Sequence, residues 1–228
     1  MAMKTKSRGS KYLYTKDFPA SVLAESYRTL RANILLTNVD SEIGSVVVTS
    51  PDRGEGKSTI CANLAIVMAQ AEKRVLLIDC DLRLPTQHEL FQITLDHGLT
   101  RMISTYDEGD DPFAFGDQVM DGLTVIGSGP PPPNPSEIIS SRRFRKFIKN
   151  ASAAYDTVII DTPPVGIVSD AAIISTMVDG TILVLDLKGG HRNMSVRAKK
   201  TLEKVNANIL GLVMNNLKID KDARPYQY

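Results

Sequence analysis

The sequence predicts one doubly wound α/β domain on a mostly parallel sheet. Two observations carry that reading. The runs IGSVVVTS, RVLLID, TVIIDTPP and TILVLDL are apolar throughout, as strands covered on both faces are. They also alternate with helical text, which parallel strands joined by crossover helices require. A chain of 228 residues is long for one domain but ordinary for this class.

Taken in order, residues 1–16 hold Lys4, Lys6, Arg8, Lys11 and Lys16 without an acid and read as a flexible basic tail. Residues 20–37 read as an amphipathic helix, with Leu23, Tyr27, Leu30 and Ile34 at helical spacing. IGSVVVTS is a strand, STICANLAIVMAQAEK a helix, RVLLID a second strand, and LRLPTQHELF a loop with a short helix. Residues 94–122 are less regular and end in an expected helix, DPFAFGDQVM. LTVIGSG is a strand that enters the proline run Pro130–Pro133. SEIISSRRFRKFIKNASAAY reads as one helix capped by Ser136. TVIIDTPP, TILVLDL and NILGLVMN are the remaining strands, with helices DAAIISTMV and SVRAKKTLEKVN between them. The expected divisions are a tail over 1–16, a domain over 17–220 and a tyrosine-bearing tail over 221–228.

Composition narrows the function. A net charge of +1 gives no broad field towards nucleic acid or lipid, and no nucleic-acid partner is expected. Cys61 and Cys80 are the only cysteines and suit a reducing cytoplasm. No apolar run has the length of a membrane span, and MAMKTKSRGSKYLYTK lacks the apolar centre of a signal peptide.

The chemistry is concentrated in SPDRGEGKSTI. It follows an apolar strand and opens an apolar helix, the setting of a phosphate-binding loop. The usual first glycine is Pro51, which fits where φ is near −65°. Gly54 and Gly56 let backbone amides turn towards phosphate oxygens, and Asp52, Arg53 and Glu55 complete the loop. Lys57 supplies charge to the β- and γ-phosphates, Ser58 a hydroxyl for Mg²⁺, and Thr59 continues the helix start, whose dipole favours anions.

Acids for the metal stand at the ends of two strands, VLLIDCDLR and TVIIDTPP. Ligands gather at the carboxyl ends of parallel strands, so Asp79, Asp81 and Asp161 share the edge of the phosphate loop. Asp161 takes the common metal-associated role. Asp79 and Asp81 face the same way if the chain stays extended. Asp79 is the candidate to accept a proton from an incoming hydroxyl and Asp81 to support metal or orientation, roles that can be exchanged, which points to phosphoryl transfer or hydrolysis. VMNNLKID does not match the guanine-selecting N-K-x-D pattern, so ATP is favoured. Asn215 can contact a base edge or simply form a turn.

TSPDRGEGKST, VLLIDCDLRLPT and VIIDTPP, with GPPPPNPSE between the last two, resemble the bacterial tyrosine kinases of capsule and exopolysaccharide synthesis. The resemblance runs over residues 17–220 and implies a P-loop NTPase sheet of the partition-ATPase-like type. It also implies an ATP- and Mg²⁺-dependent cytoplasmic autokinase, held at the inner face of the membrane by a transmembrane chain-length regulator that activates it. The family's loop residues fall on Gly54, Gly56, Lys57, Ser58 and Thr59, and its acids on Asp79, Asp81 and Asp161. Its E-x-x-R-x-x-R element for ring-like homo-oligomers falls on Glu25, Arg28 and Arg31, which otherwise read as a solvated helix face. The family ends in several acceptor tyrosines, whereas this chain carries only Tyr226 and Tyr228 there, with Tyr12 and Tyr14 as further candidates. The chain has no phosphatase signature, so reversal needs a separate phosphotyrosine phosphatase.

The rival reading is a partition- or septum-positioning ATPase. Such proteins carry a second lysine early in the loop, where this chain has Asp52. An acid there cannot neutralise transferred charge. A metabolic P-loop enzyme would need a substrate domain, for which no segment is evident. An adaptor that binds ATP only to assemble would tolerate loss of the acids.

Overall fold

The structure is a computed structural model and describes residues 13–37, 43–105, 111–188 and 192–217. In chain order its elements begin with α1 (Tyr14–Asp17), α2 (Val22–Leu36), β1 (Ser45–Thr49), α3 (Lys57–Ala69), β2 (Val75–Asp79), α4 (Gln87–Phe91) and α5 (Leu99–Thr105). After a 3-10 turn at Pro112–Phe115 come β3 (Asp117–Met120), β4 (Leu123–Ile126), α6 (Pro135–Ser140), α7 (Arg142–Ala154) and β5 (Thr157–Asp161). The order ends with α8 (Asp170–Ser175), β6 (Gly180–Asp186), α9 (Arg192–Lys204) and β7 (Ile209–Asn215).

The strands form one sheet in the order β3-β4-β2-β5-β1-β6-β7, parallel throughout except for β3 on β4. This is the expected architecture. The apolar runs mark central strands because both faces are covered. In β1, Val46 and Val48 join a core with Leu64 and Val67 of α3, while Val47 joins a second core with Phe144 and Ile148 of α7. Full burial of each such side chain contributes about 1.5–3 kcal/mol. No helix among the described residues is long and apolar enough to cross a membrane.

The structure departs from the expected elements in four places. The end of the expected helix DPFAFGDQVM is strand β3, an antiparallel edge strand with a bulge between Gln118 and Met120. SEIISSRRFRKFIKNASAAY is two helices: the chain is extended at Ser141, whose hydroxyl accepts the Phe144 N–H and caps α7. Ser136 therefore caps nothing and instead donates to Asp170 at 2.8 Å. The expected basic tail is packed by residue 13, because Leu13 and Thr15 are buried and Thr15 bonds Asn63 of α3 through both N–H and hydroxyl. On α2, Ile34 is buried and Tyr27 and Leu30 pack on the core, but Leu23 remains 43% exposed.

Candidate active site

The loop between β1 and α3 sits at the carboxyl edge of the sheet, beside the ends of β2 and β5. Gly54 and Gly56 have φ of +76° and +93°, conformations that L side chains rarely adopt. At Gly56 the neighbour enforces the choice as well, since a Cβ would lie 2.1 Å from Asn215 Nδ2. Two contacts hold the loop from the far side. Asn215, the last residue of β7, donates to the Glu55 carbonyl at 2.9 Å, and the Glu55 carboxylate accepts the Asp186 N–H at the end of β6. Asn215 thus braces the loop, a role outside both sequence expectations. Pro51 is buried at the loop's start, and Asp52 accepts the Arg53 N–H at 2.7 Å.

A cleft of about 250 Å³ opens over the loop, lined by Arg53, Lys57, Ser58, Thr59, Asp81 and Thr86 among others. The three acids are not equivalent around it. The strand ends at Asp79, so the extended geometry expected for Asp79 and Asp81 does not continue. Asp79 folds back on its own chain: Oδ1 accepts the Asp81 N–H, and Oδ2 accepts those of Thr86 and Gln87. It is an Asx-type brace for the 80–87 loop. Asp81 lies in the cleft wall, with Oδ1 accepting the Leu84 N–H at 3.1 Å.

Asp161 is fully buried next to Asp79 in the β2–β5 register. Its Oδ2 accepts from Gln87 Nε2 at 2.8 Å, while its Oδ1 is buried and no donor meets it at hydrogen-bond geometry, although the Ser58 hydroxyl and the Cys61 thiol stand near enough to stabilise the carboxylate. Burial raises the Asp161 carboxyl above the usual range, opposed by the Lys57 charge. Burial and then Asp161 push Asp79 well up. Burial also raises Asp81, eased by the Leu84 N–H. No three His, Cys, Asp or Glu side chains among the described residues gather as a metal site. Mg²⁺ ordinarily takes one or two carboxylates with waters and phosphate oxygens. An unpartnered Asp161 oxygen at the edge that carries Ser58 fits that pattern.

Sequence reasoning missed two residues here. Gln87 links Ser58 to Asp161, and Arg83 pins the 80–87 loop to α8 and α6 through Asp170 and Ser136. Arg83 stands inside VLLIDCDLRLPT and Gln87 directly follows it, but their partners are distant in sequence, so nothing local gave them a role. On α2, Glu25 and Arg28 form the anticipated intrahelical pair at 2.8 Å. Arg31 instead reaches the Val67 carbonyl in the last turn of α3 at 2.7 Å. Tyr14 lies in α1, and Tyr12, Tyr226 and Tyr228 lie outside the described residues.

Residues 46–226 match the CobQ/CobB/MinD/ParA nucleotide-binding domain. Tyrosine-protein kinase YwqD of Bacillus subtilis is 40% identical over 97% of this chain and 93% of its own. The putative tyrosine-protein kinase CapB of Staphylococcus aureus is 36% identical over 95% and 94%. The chain belongs to the bacterial tyrosine-protein kinases. The solved kinase domain of Escherichia coli tyrosine kinase ETK superposes on this kinase with a TM-score of 0.85, at 31% identity over 99% of this chain and 89% of that one. A ParA-family ATPase from Chlorobium tepidum matches at only 20% identity with a TM-score of 0.62, over 78% of this chain and 75% of its own. That likeness shows the shared fold alone, and the partition-ATPase alternative is only distantly related.

Proposed function

We propose that this kinase is a Mg²⁺·ATP-dependent autokinase that phosphorylates Tyr226 and Tyr228 and thereby regulates capsule or exopolysaccharide synthesis. The observation that carries the reading is the grouping of Lys57, Ser58 and Asp81 around one cleft, with the Asp161 carboxylate behind it short of a partner. Lys57 neutralises charge on the β/γ-phosphates while backbone amides of the loop hold them. Ser58 and Asp161 would hold Mg²⁺ directly or through water, and the bound ion would offset phosphate charge. The base role moves from Asp79, the sequence's candidate, to Asp81, because the Asp79 oxygens are taken up by three backbone N–H groups whereas Asp81 faces the cleft and burial raises its pKa towards working pH. The tyrosine O–H proton passes to Asp81, the phenolic oxygen bonds the γ-phosphorus, and the bond to the bridging oxygen breaks to release ADP. Asp79 holds the loop that presents Asp81.

Transfer between copies suits a ring-like homo-oligomer in which one copy offers its tail to a neighbour. Glu25, Arg28 and Arg31 on α2 form the proposed contact, beside Val22, Leu23, Leu35 and Leu36, which are 43–74% exposed. The proposed activator is the cytoplasmic end of a transmembrane chain-length regulator, which would hold the kinase at the membrane's inner face. A separate phosphotyrosine phosphatase would reset it. With Glu25→Ala, Arg28→Ala and Arg31→Ala combined, light scattering is expected to show a smaller assembly. An unchanged mass removes the ring.

The function is tested by phosphopeptide mapping after incubation with ATP and Mg²⁺, with Lys57→Met alongside. Phosphate on Tyr226 or Tyr228 is expected, reduced about 10³-fold or more in the variant while the melting temperature holds. Full phosphorylation of Lys57→Met would sink the mechanism. Steady ATP hydrolysis without phosphotyrosine would return the chain to the ATPase reading.

A further inference from the structure

Gln87 opens α4 and is fully buried. Its polar groups meet all three nucleotide-site segments. The backbone N–H donates to Asp79 Oδ2 at 3.0 Å, and Nε2 donates to the Ser58 carbonyl at 3.1 Å and to Asp161 Oδ2 at 2.8 Å. Both side-chain neighbours are acceptors, so the NH₂ must face them and the amide has one possible orientation. Its two N–H groups are then both engaged.

What remains is an imbalance of acceptors. Gln87 Oε1 and Asp161 Oδ1 are each buried without a hydrogen-bond partner, and the Thr86 hydroxyl is too. Such groups are rarely left unpaired in a finished core, and each calls for a ligand or water. A hydrated cation answers it, because its waters donate and its charge attracts the free carboxylate oxygen. One NH₂ group also ties the peptide of Ser58 to the carboxylate of Asp161. The two residues assigned to the metal are therefore held in register by a third that needs no contact with it.

We infer that Gln87 is the positioning residue for Mg²⁺: it holds Asp161 Oδ2 against the first turn of α3, so that Oδ1 is left for the cation. The inference rests on reading the cleft as a Mg²⁺·nucleotide site and adds the residue that sets its geometry. A glutamine that only filled space would affect folding and nucleotide binding alike. A positioning glutamine affects the part of nucleotide binding that depends on the metal.

The experiment is equilibrium binding of a fluorescent ADP analogue to the full chain, first in EDTA and then across a Mg²⁺ titration. Wild type should gain affinity with Mg²⁺. Gln87→Met should keep its EDTA affinity within about twofold, yet need roughly 10–100-fold more Mg²⁺ for half of the gain. In an Asp161→Asn background the same substitution should add no further shift, because Gln87 acts through Asp161. If Gln87→Met does not fold, Gln87→Asn reads the same quantity, since it withdraws the amide's reach. An unchanged Mg²⁺ midpoint in a folded variant overturns the inference, as does an equal loss with and without Mg²⁺. A wild type whose affinity ignores Mg²⁺ overturns the underlying site reading as well.

Discussion

The two ends of β5 treat an aspartate in opposite ways. At its start, Asp156 accepts from the Arg74 backbone N–H and from its guanidinium, both at 2.8 Å. The hydrogen bonds of Arg74 hold its pKa down to about 2. On the same edge, Asp179 accepts from the N–H groups of Gly44 and Ser45 and from the Ser45 hydroxyl. At the far end, Asp161 is buried beside Asp79 with one oxygen unpartnered, and burial raises both carboxyls. The residue type is constant and the strand is shared. One edge uses its carboxylates to join chain segments; at the other, Asp79 does the same for the 80–87 loop, while Asp161 keeps one oxygen unpaired for a charged ligand. Buried groups of that kind cost the free protein stability, which is the usual trade at a working site.

The largest effects should separate Asp81 from Asp79 within the working edge. Asp81→Asn is expected to slow tyrosine phosphorylation by about 10²–10⁴-fold, the range for loss of a general base. Asp79→Ala should appear first in the loop, because it removes the acceptor of three backbone N–H groups. Amide exchange at Thr86 and Gln87 should then accelerate in the nucleotide-free protein. Unchanged exchange there, with only phosphorylation lost, would make Asp79 the base and reverse the assignment.

The raised and the depressed carboxyls set opposite signs of pH dependence. Asp79, Asp81 and Asp161 have raised carboxyl pKa values in the folded chain. The native state therefore binds more protons than the unfolded state above the ordinary carboxylate range. Stability of the nucleotide-free protein should fall as pH rises through that window. Asp156, depressed to about 2, acts the other way: its contribution is complete above the unfolded value and lost as pH falls through its own. Urea denaturation at increasing pH above the ordinary carboxylate range should show the decline, and Mg²⁺·ATP should flatten it. A rise there would break the comparison. The smallest effect belongs to the joining edge, where Asp179→Ala should cost about 1 kcal/mol and leave phosphorylation intact.

The legible parts of the sequence were those with a local cause. Apolar runs such as VVVT and VIID announce strands buried on both faces, and their alternation with helices fixes a parallel sheet. The phosphate loop and its aspartates lie at spacings set by strand-to-helix geometry. What escaped depends on distant partners or on weak local signals. DQVM is short and only half-buried, and its strand exists because β4 offers an edge. The break at Ser141 has neither glycine nor proline to mark it, only a serine whose hydroxyl caps the next helix. Thr15 stands in basic, polar text and is buried by Asn63, far along the chain. Asp79 and Asp81 were placed at the right edge, but their different environments follow from a turn that begins where the strand stops.

Asp161→Asn tests the central claim most directly, with melting temperature and tyrosine phosphorylation measured on the same nucleotide-free preparation before and after adding Mg²⁺·ATP. Removing an under-paired buried charge should raise the melting temperature of the free protein, while phosphorylation falls by about 10²-fold or more. A lower melting temperature together with retained phosphorylation would mean that Asp161 joins the fold as Asp156 does, and the account would be wrong.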